Sequence, residues 1–534
     1  VAPATVKRLT LIACIVGSGV AMLDGTVVNV ALPSIQRSLG GGLAAQQWVV
    51  NGYLLTLGSL ILVGGSLGDL HGERRVFALG VAGFGVASLA CALAPSIEAL
   101  VAARAVQGVA GALLVPSSLA VIVNTFRESE RGPAIGSWTA WGGIAVVLGP
   151  LAGGELLALA SWRWIFLLNA PFVIACVGLI LLVVPDRVPD REPGRRDGGG
   201  RARRIDALGG ALCAAGLAGP VFALIEQPRL GWSSPAVLGP LLGGALVLGA
   251  FLAYEARTRD PMLPLALFRR RNFSVGNVET FSMYAGLAVL SFFLMLFLQQ
   301  IAGYSPLRAG LAMLPVSGVM FVLSRRFGAL ADRYGPRLFM GAGPLLAAAG
   351  LLLFQRTGAH PRYVGEVLAP LLVFGLGLAM TVAPLTAAVL AGSEREAGIA
   401  SGVNNAVARV AGLLGVAAMG AAVAGAFTAS LRHRLAGTPL GPAARAALAR
   451  AERLPLGRPS VQGLPPGQAR ALRSAAEAAS LHSFHLGMGV AAALVAGGGG
   501  GGALAIRNPR GRVRAAECPG GQLVGAGARA SERG

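Results

Sequence analysis

The sequence predicts an all-α polytopic membrane protein of 14 transmembrane helices, built as two pseudo-symmetric six-helix halves with two additional central helices. Three observations predict this. Of 534 residues, 54% are hydrophobic and 13% charged. Apolar runs of about 18 to 29 residues recur along the chain, and crossing a bilayer takes about 20. A polar motif then repeats at equivalent places in the two halves. The 78 glycines, against 20 Phe, 6 Trp and 6 Tyr, add the small-residue bias that lets membrane helices approach closely. A soluble enzyme is excluded.

The first six runs lie near 9–32, 47–67, 76–95, 97–123, 133–158 and 163–184. Lys7 and Arg8 precede the first run, which continues through Asp24 to Pro33 without a small-residue cleavage site. It is therefore expected to remain as a helix rather than leave as a signal peptide. An Arg-rich segment from Pro185 to Arg204 follows, then two runs near 205–226 and 236–256. The second six lie near 273–301, 306–324, 337–354, 365–391, 399–427 and 484–506. Gly497 to Gly502 disfavour helix in water, so the last span rests on its length and flanks. The expected domains are an N-terminal half (1–184), a basic linker with two extra helices (185–256), a C-terminal half (257–506) and a disordered cytosolic tail (507–534). The connection 428–483, rich in Ala, Arg and Pro, is read as a solvated excursion with helix-like stretches near 441–455 and 467–480.

The formal net charge is +21, and where it falls decides what it means. With the N-terminus placed in the cytosol, 29 of the 45 Lys and Arg fall in cytosolic segments, 6 in short external loops and 8 in the long connection. This asymmetry predicts cytosolic termini and a multi-pass protein of the cytoplasmic (inner) membrane. Dispersal over many loops excludes a nucleic-acid surface, which needs a basic patch. Cys14, Cys91, Cys176, Cys213 and Cys518 show no paired spacing, so neither a disulfide framework nor a zinc site is expected. His71, His360, His433, His482 and His485 form no metal set. No phosphate-cradling G-x-x-x-x-G-K-[ST] sequence appears, so ATP drive is unsupported, and no cofactor is expected.

The repeat is GSLGDLHGERR, Gly65 to Arg75, and GALADRYGPRL, Gly328 to Leu338, at an offset of 263 residues. Both fit G-x-L-[GA]-D-x-x-G-x-R between the second and third spans of a half, which points to homologous halves. The motif residues are Gly65, Asp69, Gly72 and Arg74, and Gly328, Asp332, Gly335 and Arg337. Each copy places a helix-ending Gly, an Asp and a basic residue on the cytosolic face, and the two aspartates can cap the following helix. The arginines can bind a neighbouring helix end in one conformation and release it in another.

These motifs, taken with others, resemble the major facilitator superfamily, specifically its 14-span drug:proton antiporter group, over about residues 9–427. LDGTVVNVALPSI (Leu23 to Ile35) is similar to that group's first-helix motif, and RAVQGVAGA (Arg104 to Ala112) to its fourth-helix motif. GPLAGG (Gly149 to Gly154) is similar to the fifth-helix antiporter motif, and WRWIFLLNAP (Trp162 to Pro171) to the opening of the sixth span. Leu70 and Glu73 depart from the usual basic residues of the first loop motif, and Ala145 replaces a Gly. The resemblance implies efflux of small hydrophobic or amphiphilic compounds in exchange for protons, with Gly149, Pro150, Gly153 and Gly154 as the signature of antiport.

Residue chemistry nominates the working groups. An ionised carboxylate at mid-span costs about 2.5–3.5 kcal/mol on insertion scales, so Asp24 is functional by default. Helix rise places Asp24 and Arg104 at similar depth, where they can share a layer. A conformational change that alters a carboxylate's burial or its distance from a cation makes it a proton switch. Glu279 either snorkels to the interface or binds a proton or cation. Arg409 is deep and predicted to face the interior, with Asn404 and Asn405 one turn earlier, where structural helix pairing and substrate contact are equal alternatives. Asn29 and Gln107 can bond substrate or brace helices. Glu226, Glu255 and Glu366 are read as solvated span ends. In GPLAGG, Pro150 frees a carbonyl and the glycines clear one face, so the helix can kink and pack closely.

The expected partners are a small-molecule substrate, protons and the lipid bilayer, without nucleic acid or ATP; the oligomeric state is left open, a monomer being compatible with the fold. The alternatives are an exporter of one defined metabolite on the same fold, a membrane enzyme, which would need clustered metal-ligating loops, and a non-transporting receptor.

Overall fold

The computed structural model describes residues 3–184, 206–259, 261–390 and 397–508, and contains no strand among them. Fourteen helices are long and apolar enough to cross a membrane. In the first half they are α1 (Pro3–Leu39), α2 (Leu43–His71), α3 (Glu73–Leu93), α4 (Ile97–Thr125), α5 (Glu128–Leu159) and α6 (Arg163–Val183). Then come α7 (Ala207–Leu230) and α8 (Pro235–Glu255). The second half has α9 (Arg271–Ile301), α10 (Pro306–Tyr334), α11 (Pro336–Arg356), α12 (Tyr363–Val389), α13 (Ala397–Leu435) and α14 (Pro466–Ala505). An even number of spans puts both chain ends on one face, here the terminal face; the opposite one is the far face.

The halves repeat in packing as well as in sequence. In the first, α2 packs on α4, α3 on α4, α1 on α5, and α6 on α1 and α3. In the second, α10 packs on α12, α11 on α12, α9 on α13, and α14 on α9 and α11. The two seams between halves are also equivalent, α2 with α13 and α5 with α10. The extra helices α7 and α8 pair with each other, and α7 lies along the α2–α13 seam. Small residues set these approaches. A Cβ at Gly108 would strike the Tyr53 carbonyl of α2, and one at Gly350 would lie 2.5 Å from the Phe374 nitrogen of α12.

The helix-ending glycine of each loop motif is its second one. Gly65 and Gly328 lie inside α2 and α10; the helices end at Gly72 and Gly335, whose φ of 91° and 86° few other residues tolerate. Those two glycines are also the cap residues of α3 and α11, and neither makes a side-chain cap bond. The Asp69 side chain lies outside the described residues. The arginines do meet helix ends. Arg74 donates to the Leu181 carbonyl of α6 at 2.8 Å, and Arg337 to the Ala503 carbonyl of α14 at 2.6 Å, equivalent bonds in the two halves.

Burial divides the bundle by depth. Toward the far face one buried apolar cluster spans both halves, including Val27 to Ile35 of α1, Met283 to Ile301 of α9, and Ala309 to Met320 of α10. Toward the terminal face it separates into one cluster per half. Along α5 and α10, Gly154 meets Leu307 and Gly310 meets Pro150 near the far end, while Cβ positions at Gly143 and Gly318 meet no atom within 4 Å. The halves thus share one core at the far face and have separate cores toward the terminal face, with a cleft on the α5–α10 side while Leu62 of α2 still meets Gly402 of α13.

The 428–483 connection is more ordered than a solvated excursion. α13 runs to Leu435, a short helix spans Pro442–Ala451, and α14 begins at Pro466, so the stretch read near 467–480 is continuous with the last span. These parts bury their own cluster, with Phe427, Leu431, Ala447, Leu472 and Ala476. The cap grips both halves. The Arg453 carbonyl abuts Gly42 between α1 and α2, and Arg458 donates to the Gln300 and Ile301 carbonyls at 3.0 and 3.2 Å. Between them Leu456, at φ 61°, inserts its fully buried side chain into the far-face cluster. The basic linker's expected segment 185–204 and the tail from 509 lie outside the described residues; Arg507 and Asn508 still dock on Asn272 and Arg337.

Candidate functional site

Asp24, Arg104 and Gln107 meet at the centre of the first half, and all three are buried to 1% exposure or less. Arg104 makes an ion pair with Asp24 Oδ2 and donates to Gln107 Oε1 at 2.7 Å. Gln107 and Asn169 donate to Asp24 Oδ1 at 3.0 and 3.3 Å. The guanidinium also donates to the Val49 carbonyl at 3.1 Å and lies 4.4 Å from the Tyr53 ring centroid. Asn169 continues the network to Ser88 of α3 at 2.9 Å. Every oxygen of the carboxylate is thus satisfied, which is what lets a charged pair exist without water. The network joins α1, α2, α3, α4 and α6.

Three side chains of this network, Asn169, Tyr53 and Ser88, were not singled out from sequence. Asn169 is a polar residue within the apolar sixth span, in the quoted WRWIFLLNAP stretch, and that was its one signal. Tyr53 gave none, because a tyrosine in an apolar run reads equally well as core.

Glu279 stands in contrast. It does not snorkel: its exposure is 0% and neither carboxylate oxygen has a hydrogen-bond partner among the described residues. It packs against Gly502 of α14, while Gly498 faces Ser282 and Gly499 faces Pro344 of α11. The glycine run that looked unfavourable for helix thus makes room for α9 and α11, with the Glu279 carboxyl in the space a Gly502 side chain would fill.

The cleft between the halves carries the other candidates. Asn29 is half-buried on the face of α1 that carries Gly25, whose Cβ position is open, and its Oδ1 is unpartnered. Asn404 accepts from Thr280 at 2.8 Å, tying α13 to α9; Asn405 is half-buried beside it. Arg409 lies at the α2–α13 crossing, where a Cβ on Gly58 would be 3.2 Å from its own. The antiporter stretch does two jobs. Cβ atoms at Gly149 and Gly153 would strike Thr26 and Val27 of α1, and one at Gly154 would lie 2.5 Å from the Leu307 Cα of α10. GPLAGG therefore sits where α5 touches both its own half and the other.

One sequence reading is corrected among the span-end acids. Glu255 is 2% exposed, not solvated; it accepts from the Leu263 nitrogen at 2.8 Å and faces Asp206 across Gly209. The loop Met262–Pro264 folds over the end of α8 and excludes water there. Glu226 accepts from Trp48 at 3.1 Å, joining α7 to α2, and Glu366 accepts from Gly358 at 2.9 Å. No group of three metal-ligating side chains occurs among the described residues.

Comparison with known proteins follows the same lines. The family model described as Major Facilitator Superfamily matches residues 14–416. A tetracenomycin C resistance and export protein of Streptomyces glaucescens is 34% identical over 78% of this chain and 76% of its own. A puromycin resistance protein of Streptomyces alboniger is 38% identical over 77% and 80%, and a multidrug resistance protein of Mycobacterium tuberculosis 34% over 80% and 78%. Among solved structures, an inward-facing bacterial homologue of the human lysosomal transporter Spinster superposes with TM-score 0.61 at 16% identity, covering 94% of this chain and 99% of that one. The xylose transporter XylE of E. coli gives 0.51 at 13% identity, covering 78% and 91%.

Proposed function

Because the chain belongs to the major facilitator superfamily and is a membrane transporter rather than an enzyme, we propose that it expels small hydrophobic or amphiphilic compounds, such as drugs or antibiotics, in exchange for protons. The observation that carries the reading is the unequal joining of its two equivalent halves, which share one core at the far face and have separate cores at the other. Rocking about the α2–α13 and α5–α10 seams exchanges which face is open, which is alternating access between repeats. The excess of Lys and Arg in the terminal-face loops makes that face cytosolic, with both termini inside the cytoplasmic membrane. The cleft then faces the cytosol, where an exporter loads.

In this mechanism Gly149, Pro150, Gly153 and Gly154 form the contact about which α5 moves on α1 and α10. The bonds from Arg74 to α6 and from Arg337 to α14 hold the terminal-face ends of each half as rigid units. Asp24 carries the coupling proton: separating it from Arg104, Gln107 or Asn169 changes its affinity for a proton, and Tyr53 connects this network to the cleft. Glu279 is the second proton candidate, since nothing among the described residues neutralises it. Asn29, Asn404 and Asn405 supply hydrogen bonds along the pathway. Relatives named for single antibiotics favour a second reading, export of one defined compound.

The test is transport in proteoliposomes, with an imposed proton gradient and a panel of lipophilic cations, acids, neutral drugs and amino acids. Gradient-dependent movement of one or more aromatic or amphiphilic compounds is expected. Transport of every substrate at equal rate with the gradient collapsed would sink the antiport reading.

A further inference from the structure

We infer that Arg409 is the anion-binding point of the cleft, so that the transported compound is an amphiphile bearing an acidic group, a carboxylate or an ionised phenol. This rests on the transport reading above and adds the substrate's charge to it.

Arg409 stands near mid-height on α13, where Gly58 of α2 lets the two halves cross closely. Its side chain is half-buried and makes no hydrogen bond or ion pair with any described residue. Tyr53 of α2 and Tyr284 of α9 are within its electrostatic range. Phenols ordinarily ionise near pH 10, about three units above neutrality, so they supply no countercharge.

The carboxylates that could neutralise Arg409 are committed elsewhere. Asp24 is held on both oxygens by Arg104, Gln107 and Asn169 inside the first half. Glu279 is fully buried against Gly502 and has no surface on the cleft. The middle of the pathway therefore presents one unneutralised positive charge among the described residues. Holding such a guanidinium partly desolvated is costly unless an anion meets it. Its planar fork of donors suits a carboxylate or phenolate, and it repels a lipophilic cation. The apolar walls of the spans accept the rest of the molecule.

Two xanthene dyes of one frame and opposite charge separate the possibilities: fluorescein, an anion, and rhodamine 123, a cation. Binding to the purified full chain in detergent is read by fluorescence anisotropy, which needs neither a proton gradient nor turnover. Wild type is expected to bind fluorescein more tightly than rhodamine 123. Arg409→Gln should weaken fluorescein about tenfold or more while leaving rhodamine 123 unchanged or improved, and Arg409→Lys should keep most of the anion affinity. Preference of wild type for rhodamine 123, no fluorescein binding, or equal loss of both dyes in Arg409→Gln would overturn the assignment. If Arg409→Gln does not fold, the wild-type preference and the Arg409→Lys variant decide alone. A protein that binds fluorescein through Arg409 yet moves nothing with a proton gradient would refute the antiport reading and leave this one standing.

Discussion

At the scale of single residues, the two deeply buried carboxylates are opposites. Asp24 is satisfied by a cation and two amides; Glu279 is satisfied by nothing described. Breaking one side of a buried ion pair leaves an uncompensated charge, so Asp24→Asn should destabilise the purified protein by about 3–5 kcal/mol. It should also abolish gradient-driven efflux, and Asp24→Glu should recover part of both. Thermal unfolding in detergent and proteoliposome flux check the two effects separately; full coupled efflux by Asp24→Asn would remove Asp24 as proton carrier. Glu279→Gln breaks no pair, so its stability should stay within about 1 kcal/mol of wild type. Loss of coupling in that stable variant would move the proton to Glu279, and unchanged coupling would leave Glu279 a packing residue.

At the scale of elements, function depends on how closely helices can approach. Gly154 has the Leu307 backbone where a side chain would go, and Gly149 has Thr26. Gly149→Leu or Gly154→Leu should therefore insert in the membrane yet exchange substrate far more slowly, because α5 can no longer close on its neighbours. Normal exchange in a correctly inserted variant would show that the stretch serves packing alone. The far-face cap is the second such element. Leu456 fills the shared far-face cluster from a left-handed backbone conformation, between two contacts that clamp opposite halves. Truncating a fully buried leucine leaves a cavity, so Leu456→Ala should cost about 2–5 kcal/mol. A melting temperature unchanged from wild type would mean that the cap does not hold the halves together.

At the scale of the whole molecule, topology and symmetry make the claims. The 14-span arrangement puts exposed Ser460 on the far face, and the orientation proposed from the charge asymmetry would make that face external. In whole cells, an impermeant maleimide should label a cysteine at position 460 and leave one at position 199 untouched. Reversed labelling would invert the orientation, and with it the direction assigned to transport.

The sequence by itself determined the spans, the two-half repeat, the family and the similar depth of Asp24 and Arg104. All four are written in local terms: runs long enough for a bilayer, a motif 263 residues from its copy, and helix rise that sets depth. It also marked Arg74 and Arg337 as binders of helix ends, without saying which ends. Tertiary structure decided what depends on the facing helix. Glu279 read as a possible snorkeller because its depth was legible and its rotation about the helix axis was not; the glycines of α14 that enclose it lie over 200 residues away. Glu255 read as solvated because the loop that covers it cannot be seen from its own helix. The reversals between packed helices fell at Gly72 and Gly335, since a turn this tight needs positive φ. The cap's grip on both halves, and an Arg409 guanidinium with no carboxylate partner among the described residues, appear once distant segments are brought together, because burial and charge neutralisation belong to the assembled bundle and not to any one span.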